Sequence, residues 1–224
     1  WKRIATPVPS SSASNTYGWL GQFPTFREWI GDRVLKNMAA HGYSITNKKF
    51  ESSVGVPRDA IEDDEIGVYK PLFAEMGRAS SAHPDELVFA LLKAGLTTTC
   101  YDGQYFFDTD HPVYPSTDAS GTAVSVSNYQ DGTGPAWYLL DVSRALKPII
   151  FQNRRNYDLK AMTAMDDESV FMRDEYRYGV DARVNVGFGF WQFAYCSKAP
   201  LTAENYGLAR AAMKNFQADG GRPL

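Results

Sequence analysis

Residues 183–195, with the sequence RVNVGFGFWQFAY, carry the strongest β-strand signal of the chain. Alternate positions in the first half of this stretch are apolar: Val184, Val186, Phe188 and Phe190. This period of two predicts a strand with one face in the core. Gly187 and Gly189 indicate a bulge or a close backbone approach, and a phosphate-binding loop is disfavoured because no Lys-Ser or Lys-Thr pair follows them.

The strand lies within residues 97–199, which we predict to be rich in β-structure. Residues 138–142, YLLDV, form a second clear strand. Residues 113–135 are rich in Ser, Thr and Gly and are predicted to form a loop. For residues 166–178 the periodicity leaves both helix and strand open.

Residues 59–96 carry a helical pattern. The acidic run Glu62-Asp63-Asp64-Glu65 suits the positive end of a helix. Apolar residues then follow at helical spacing: Ile66, Tyr69, Phe73 and Met76. Pro71 predicts a kink or a break. A second helical segment is expected to begin at Pro84, because proline is favoured at the first helical position, and to end at Gly95.

Capping signals predict two further helices. In residues 17–42, Thr25 and Glu28 fit a capping box, in which each side chain bonds the backbone N–H of the other. Apolar residues follow it on one face: Phe26, Trp29, Ile30, Val34 and Met38. In residues 200–224, Thr202 is the predicted N-cap of a helix. One side of that helix carries Tyr206, Ala209, Met213 and Phe216.

Residues 1–16 and 43–58 look least able to pack by themselves. Residues 1–16 contain Pro7, Pro9 and a Ser-rich run, so we expect an arm that is disordered or extended over a neighbour. Residues 43–58 are interpreted as a two-stranded β-hairpin with a turn at residues 47–49. Because a lone hairpin is marginal in water, we expect this one to rest on another subunit.

The composition fits a folded protein from a reducing compartment. With 23 Lys and Arg against 26 Asp and Glu, the net charge of -3 lacks the basic surplus of a dedicated nucleic-acid binder. Cys100 and Cys196 form no CxxC pair and are expected to be free, buried thiols. No run approaches the ~20 apolar residues of a membrane-spanning helix, and no signal peptide is evident. The lack of a starting Met and the ending at residues 220–224 suggest a fragment or a processed chain.

The histidines offer one candidate metal site. Asp108, Asp110 and His111 carry groups that could hold a divalent metal in a metal-dependent enzyme. A turn before Pro112 is the favoured interpretation, because no further His, Asp or Glu at ligand spacing completes the shell. No G-x-S-x-G motif is present, and neither cysteine lies in a nucleophile motif. We therefore predict no catalytic residue, no cofactor and no metal site.

Basic and aromatic residues are interleaved once, at Lys147, Arg154, Arg155 and Tyr157. Such a group can contact phosphate. A solvated strand end or a salt-bridge site between subunits is the favoured interpretation.

Nine sets of segments, taken in order, resemble the Mu-like phage major head subunit family. They are YGWLGQFP at 17–24 with FREW at 26–29, FE at 50–51 with VGV at 54–56, IEDD at 61–64, HPDEL at 83–87, YDGQ at 101–104, FDTDHP at 107–112, AWYLLD at 136–141, YGVDAR at 178–183 and GFGFWQ at 187–192. Together they extend over nearly the whole chain from residue 17 onward. No single segment is decisive, but the set is specific.

The resemblance implies an α+β fold, the tailed-phage major capsid (HK-97-like) fold. That fold has an N-terminal arm, an extended β-hairpin loop, a spine helix, and peripheral and axial domains. Family members continue past the final GRPL, so part of the axial domain is expected to be missing. The implied division is 1–16 arm, 17–42 N-terminal helix region, 43–58 extended hairpin loop, 59–96 spine helix of the peripheral domain, 97–199 peripheral and axial β-structure, and 200–224 axial-domain helix.

The implied function is that of a major capsid protein, not an enzyme. Copies would form the hexamers and pentamers of an icosahedral head around double-stranded DNA, after assembly in the bacterial cytoplasm. Deletion of residues 44–55 would then stop assembly and leave the monomer folded. The residues expected at the subunit interface, together with the arm, are Tyr43, Ile45, Lys48, Lys49, Phe50, Glu51, Val54 and Arg58.

The expected partners are first of all other copies of the chain. Scaffold, portal and decoration proteins are further partners, packaged DNA is touched only non-specifically, and no membrane is involved. One alternative from another class stays open, an encapsulin-like nanocompartment shell on the same fold. The weakest alternative is the metal-dependent enzyme.

Overall fold

The computed structural model describes residues 1–18, 20, 42–63, 66–115, 121–219 and 221–224. The helices are α1 (Arg58–Glu62), α2 (Ile66–Lys93), α3 (Glu168–Arg173) and α4 (Ala203–Asn215), with short 3-10 helices at Ala94–Leu96 and Trp191–Phe193. The strands are β1 (Ala5–Pro9), β2 (Ser14–Thr16), β3 (Ser44–Thr46), β4 (Lys48–Pro57), β5 (His111–Val113), β6 (Val124–Val126), β7 (Tyr129–Gln130), β8 (Trp137–Leu140), β9 (Ile149–Met162), β10 (Glu175–Phe188), β11 (Ala194–Ser197), β12 (Gln217–Ala218) and β13 (Arg222–Pro223).

A four-stranded sheet in the order β1-β9-β10-β4 forms the centre of the fold. Strands β9 and β10 are 14 residues each and run antiparallel as one long hairpin. Strand β4 pairs antiparallel with β10, and β1 pairs parallel with β9. The register between β9 and β10 shifts between Asp181 and Val184, where the pairing is irregular.

Helix α2 covers one face of this sheet. Side chains at alternate positions of β10 point toward it, and Val180, Ala182 and Val184 are buried there. The ring of Phe73 on α2 lies 4.7 Å from the ring of Tyr178 on β10. Met76, Val88 and Leu92 are among the buried apolar residues of the helix. The buried face of β10 and the apolar side of α2 therefore pack on each other as a helix-on-sheet layer.

The predicted break in the helical region 59–96 is wrong. Helix α2 continues for 28 residues through Pro71 and Pro84. An interior proline removes a backbone hydrogen bond and costs about 3 kcal/mol. Because α2 packs against the sheet, with Phe73 beside Tyr178 and His83 beside Phe50, this packing outweighs the local cost. None of the helices in the described ranges is both long enough and apolar enough to cross a membrane.

The predicted hairpin at 43–58 is also wrong. Strand β3 pairs with β2, and β4 pairs with β10 along its whole length, so the two strands do not pair with each other. Residue Asn47 separates them and is buried, with its amide donating to Ser10 Oγ at 2.8 Å. The chain thus turns inward at Asn47 and does not form an exposed loop tip at residues 47–49.

The arm expected at 1–16 lies against the chain's own sheet. Strand β1 extends the sheet beyond β9, and β2 pairs with β3. The ring of Trp1 packs 4.4 Å from the ring of Phe151. Prolines fit here because β1 is an edge strand, where the missing N–H costs no ladder hydrogen bond. Disorder and a path over a neighbour are both contradicted for β1 and β2.

The strand predicted at 183–195 is divided into two elements. Strand β10 ends at Phe188, and β11 begins at Ala194 after a turn of 3-10 helix. Strand β11 forms a three-stranded sheet in the order β7-β11-β8. Gly189 marks a close backbone approach, as predicted, whereas Gly187 is approached by a side chain. A Cβ at Gly187 would lie 2.2 Å from Ile45 Cδ1, and one at Gly189 would lie 2.6 Å from the carbonyl oxygen of Lys147.

Several other predictions have clear outcomes. Residues 166–178 contain both alternatives, helix α3 followed by strand β10. The N-cap is confirmed, since Thr202 Oγ1 accepts a hydrogen bond from the backbone N–H of Asn205 at 3.2 Å. The two cysteines are free and buried. The capping-box helix of residues 17–42 lies almost wholly outside the described residues.

Candidate subunit-contact surface

Two of the eight predicted contact residues are held inside their own chain. Ile45 is 3% exposed and packs beside Gly187. The hydroxyl of Tyr43 accepts a hydrogen bond from the backbone N–H of Phe188 at 2.8 Å. Burial raises the pKa of Tyr43 to about 12. Both side chains therefore anchor β3 to the end of β10.

Strand β4 divides the next group between two faces. Phe50 and Val54 lie opposite Ala182 and Tyr178 of β10 on the side that faces α2, and the ring of Phe50 lies 4.4 Å from that of His83. Exposed residues of β4 include Lys48, Lys49 and Glu51. The fold thus brings predicted contact residues onto a sheet edge, but not onto a free loop.

The last predicted contact residue, Arg58, stands where β4 meets α1. Its guanidinium pairs with Glu62 at 2.6 Å and lies 3.7 Å from the carboxylate of Asp174. The hydrogen bond with Glu62 raises the pKa of Arg58 above its ordinary value. Its backbone N–H also donates to the carbonyl of Asp174 at 2.9 Å. Arg58 therefore ties the end of β4 to the turn that precedes β10.

The sheet surface opposite α2, which we name the outer face, is polar and charged. On β10 it carries Arg177, Asp181 and Arg183, which lie between partners on β4 and β9. Asp181 pairs with Arg155, and it lies 4.0 Å from Lys160. The other members of the outer face are Lys49, Glu51, Ser53 and Asp158. Strand β4 forms its edge, so one side of the β4 backbone is unpaired in the part of the chain that the structure describes.

A second surface lies at the far end of the β9–β10 hairpin and was missed by the sequence reasoning. It consists of apolar side chains on the end of β9, on the connection and on α3, each 39–79% exposed, which we name together the tip patch: Leu159, Met162, Met165, Phe171 and Met172. Monomeric proteins rarely expose such clusters, and those that do commonly use them for binding. The sequence did contain a signal for this surface. Large apolar residues stand among acidic and basic neighbours in a segment whose hydrophobic periodicity fits neither helix nor strand alone.

The basic group at 147–157 makes contacts within its own chain. Lys147 Nζ donates to the carbonyl of Lys2 at 2.6 Å, and Arg154 Nη1 donates to the carbonyl of Ser10 at 3.2 Å. Arg155 pairs with Asp181, and the hydroxyl of Tyr157 lies 2.5 Å from His83 Nδ1. These groups hold the first residues and helix α2 to β9, whereas the sequence favoured a solvated strand end or a salt-bridge site between subunits.

The structure does not bring the candidate metal ligands Asp108 and His111 together. Asp108 Oδ2 accepts from the backbone N–H of Tyr105 at 3.2 Å, as in an ordinary turn. His111 turns away toward Asp102, and its Nδ1 lies 2.7 Å from Asp102 Oδ2. Burial opposes ionisation of Asp102, but the hydrogen bonds with His111 and Cys100 outweigh it, and the pKa is lowered. Among the described residues, converging His, Cys, Asp or Glu ligand atoms occur only at Cys100, Asp102 and His111.

Comparison with known proteins gives consistent matches to phage heads. The family described as Mu-like prophage major head subunit gpT matches residues 1–224. The major capsid protein of Escherichia phage Mu is 52% identical over 227 residues, covering 100% of this chain and 74% of that protein. The procapsid of bacteriophage JBD30 superimposes with a TM-score of 0.86 at 63% identity, covering 100% of this chain and 75% of that one. Its capsid decorated with minor capsid protein trimers gives 0.75 at 44% identity, covering 99% and 74%.

These matches confirm the main predictions from the sequence. The α+β architecture is that of tailed-phage major capsid proteins, and the role is structural, not enzymatic. The protein is a major capsid subunit and a component of the virion head, and copies of such subunits assemble into shells. The matches favour the phage head over the encapsulin-like alternative. The chain therefore belongs to the Mu-like prophage major head subunit family.

Proposed function

We propose that copies of this chain form hexamers and pentamers of an icosahedral head that encloses double-stranded DNA. One observation carries the proposal: the long β9–β10 hairpin ends in apolar side chains that the described part of the chain leaves exposed. Phe171 and Met172 alone are 79% and 69% exposed. A closed shell covers such a patch on every copy, and the gain is ~25 cal/mol for each Å² of apolar surface removed from water.

Each subunit in the proposed shell is held by several weak contacts at once. The tip patch supplies an apolar contact, and the edge strand β4 supplies a polar one. We propose that Lys48, Lys49 and Glu51 contact the neighbouring subunit directly. Phe50, Val54 and Arg58 border that contact, and Tyr43 and Ile45 support it from inside. Simultaneous engagement makes such contacts collectively strong, although each is weak alone.

We also propose how the helices and sheets correspond to the domains of the capsid fold. Helix α2 and the four-stranded sheet correspond to the spine and the peripheral domain. The small sheet with β11 and helix α4 supplies the axial part. Residues 43–58 were expected to form an extended loop. Because β4 pairs with β10 along its whole length, we assign the subunit contact only to the exposed side chains and the free edge of β4.

Partner proteins are proposed from the likeness to the JBD30 capsid. The similar JBD30 capsid is decorated with minor capsid protein trimers. A trimer binds most simply where three equivalent subunits meet. We propose a decoration protein of this kind as a partner, together with scaffold and portal proteins during assembly.

The tip patch provides the sharpest test of assembly. Phe171→Glu places a charge in the patch, and Leu201→Glu is the control at a site of similar exposure, 67%, before α4. Both variants should keep the wild-type circular dichroism and melting temperature, since neither side chain is buried. Sedimentation and electron microscopy should find shells for wild type and Leu201→Glu, and capsomers or monomers for Phe171→Glu. Wild-type shell yield from Phe171→Glu would contradict the proposal.

A further inference from the structure

Three metal-ligating side chains of different kinds converge beside the aromatic core. The carboxylate of Asp102 lies between the other two, with Oδ2 2.7 Å from His111 Nδ1 and Oδ1 3.0 Å from Cys100 Sγ. One ligand atom from each residue lies within 4.8 Å of the others. Around a tetrahedral zinc ion, bond lengths of 2.0 to 2.3 Å place the ligand atoms roughly 3.3 to 3.8 Å apart. The spacings between the ligand atoms, which reach 4.8 Å at most, would therefore have to change by about 1 to 1.5 Å to form this geometry.

The cluster is shielded from water. The side chain of His111 is fully buried, that of Asp102 is 7% exposed, and Cys100 is 5% exposed. The indole of Trp191 stacks on the imidazole with ring centroids 4.1 Å apart and an angle of 10° between the planes. Burial of this degree makes any unpaired charge in the cluster expensive.

Hydrogen bonding alone leaves this cluster incompletely satisfied. Among the described residues, no Lys or Arg pairs with the carboxylate of Asp102. A neutral imidazole therefore leaves one buried negative charge without a cation. A protonated imidazole supplies the cation but buries a second N–H at Nε2, which has no hydrogen-bond partner in the described part of the chain. Either state carries a cost.

We propose that Cys100, Asp102 and His111 form a binding site for a divalent transition-metal ion of the zinc type. A thiolate, a carboxylate and a neutral imidazole together carry two negative charges, so a divalent ion makes the buried site electrically neutral. Thiolate and imidazole ligands select zinc over magnesium or calcium, which prefer oxygen ligands only. The three side chains leave one coordination position for a small ligand such as water.

Binding releases one proton for each site filled. The S–H bond of Cys100 breaks, the sulfur–metal bond forms, and the proton leaves to solvent. If Nδ1 of His111 becomes the ligand, its proton moves to Nε2 and the imidazole stays neutral. The N–H at Nε2 still has no partner among the described residues, so the metal relieves the cost of the buried charge and not that of Nε2. The metal replaces two hydrogen bonds with coordinate bonds and no electron is transferred.

The site would fasten one loop of the fold. Cys100 and Asp102 lie in the turn that follows the 3-10 helix Ala94–Leu96, and His111 begins strand β5. Closing the loop between them with a metal restricts the unfolded chain as a cross-link does, and contributes binding free energy to folding. The proposed role is structural, and it is independent of the subunit contacts proposed above.

Zinc content and cobalt spectroscopy test the site. Untagged full-length chain is incubated with zinc sulfate, desalted and measured by plasma mass spectrometry, and about one zinc per chain is expected. Replacing zinc with Co²⁺ should give a thiolate-to-cobalt charge-transfer band and the visible bands of tetrahedral cobalt. Cys100→Ser should lose the charge-transfer band. Cys196→Ser, which alters the other buried cysteine, should retain both the metal and the band.

The outcomes separate coordination from a plain hydrogen-bonded cluster. Absence of stoichiometric zinc in the wild type would overturn the proposal, as would a cobalt spectrum without the thiolate band or one that Cys100→Ser leaves unchanged. The wild-type cobalt spectrum decides the matter even if Cys100→Ser fails to fold. Asp102→Asn should reduce the zinc content at least tenfold, and undiminished zinc in that variant would contradict the proposed ligand set.

Discussion

At the scale of single residues, glycines mark where the backbone of one element touches another. A Cβ at Gly189 would lie 2.6 Å from the carbonyl oxygen of Lys147 and 3.1 Å from that of Pro148. These are backbone atoms, which cannot move aside as a flexible side chain does. The sequence alone predicted a close approach here, and the structure identifies the partner as the segment that leads into β9.

Gly189→Ala is therefore expected to destabilise the fold by about 1–3 kcal/mol, the usual range for overpacking. Gly77→Ala is the matched control, because a methyl group at that position of α2 would meet nothing within 4 Å. That control should be neutral or stabilising by up to ~1 kcal/mol, since alanine favours helix. Urea unfolding measures both values, and equal stability of Gly189→Ala and wild type would contradict the close contact.

Gln152 is the polar residue that holds the first strands to the sheet. It is fully buried, its amide donates to the carbonyl of Ile45 at 2.9 Å and to Asn47 Oδ1 at 2.8 Å, and its Oε1 accepts from the hydroxyl of Tyr17 at 2.8 Å. Gln152→Leu should cost about 1–3 kcal/mol for each buried group left without a partner. Gln217→Leu, at an exposed position of β12, is the control. Thermal unfolding followed by circular dichroism measures both variants. A melting temperature of Gln152→Leu equal to that of Gln217→Leu would refute this role.

At the scale of elements, the sequence predicted correctly those features that depend on contacts between residues close in the chain. The N-cap at Thr202 was predicted because its partner lies only three residues away. Pairing of β4 with β10 joins residues more than 100 positions apart, and no local pattern specifies it. The same holds for the prolines of α2, whose local cost is outweighed by distant packing. The predicted hairpin failed because strand alternation indicates a strand without naming its partner.

The candidate contact residues and metal ligands show the same difference between local patterns and distant contacts. Lys49 was predicted in a turn but lies with Glu51 on strand β4, where both are exposed. The burial of Ile45 depends on its contact with the distant Gly187, which no local pattern specifies. Likewise, Cys100 and Asp102 reach His111 only in the folded loop, so the candidate ligands considered from the sequence, Asp108, Asp110 and His111, did not include them.

Deleting residues 44–55 should unfold the subunit, contrary to the expectation from sequence. The deletion removes β3 and most of β4, including the buried Ile45 and the strand that pairs with ten residues of β10. Circular dichroism melting and limited proteolysis of the purified variant would show the loss. A cooperative transition at the wild-type temperature would restore the view that this segment is a separate loop.

At the scale of the whole molecule, the charge distribution suits a container. The net charge is -3, and several basic side chains pair with acids of the same chain, among them Arg58, Arg78, Arg155 and Arg177. The shell wall should therefore enclose DNA with little attraction to it.

Purified subunits are expected to show no stoichiometric binding of duplex DNA at physiological salt. Fluorescence anisotropy with a labelled duplex measures this, and a basic DNA-binding protein serves as the positive control. Tight binding whose affinity falls steeply with salt would reveal a phosphate-contacting surface and contradict the container account.

The most direct test of the central claim is an electron cryomicroscopy reconstruction of particles assembled from the wild-type chain. We expect closed shells of hexamers and pentamers in which the tip patch is covered by neighbouring copies and the edge of β4 lies at a subunit boundary. A strictly monomeric protein under assembly conditions, or shells in which Phe171 and Met172 face solvent, would contradict it.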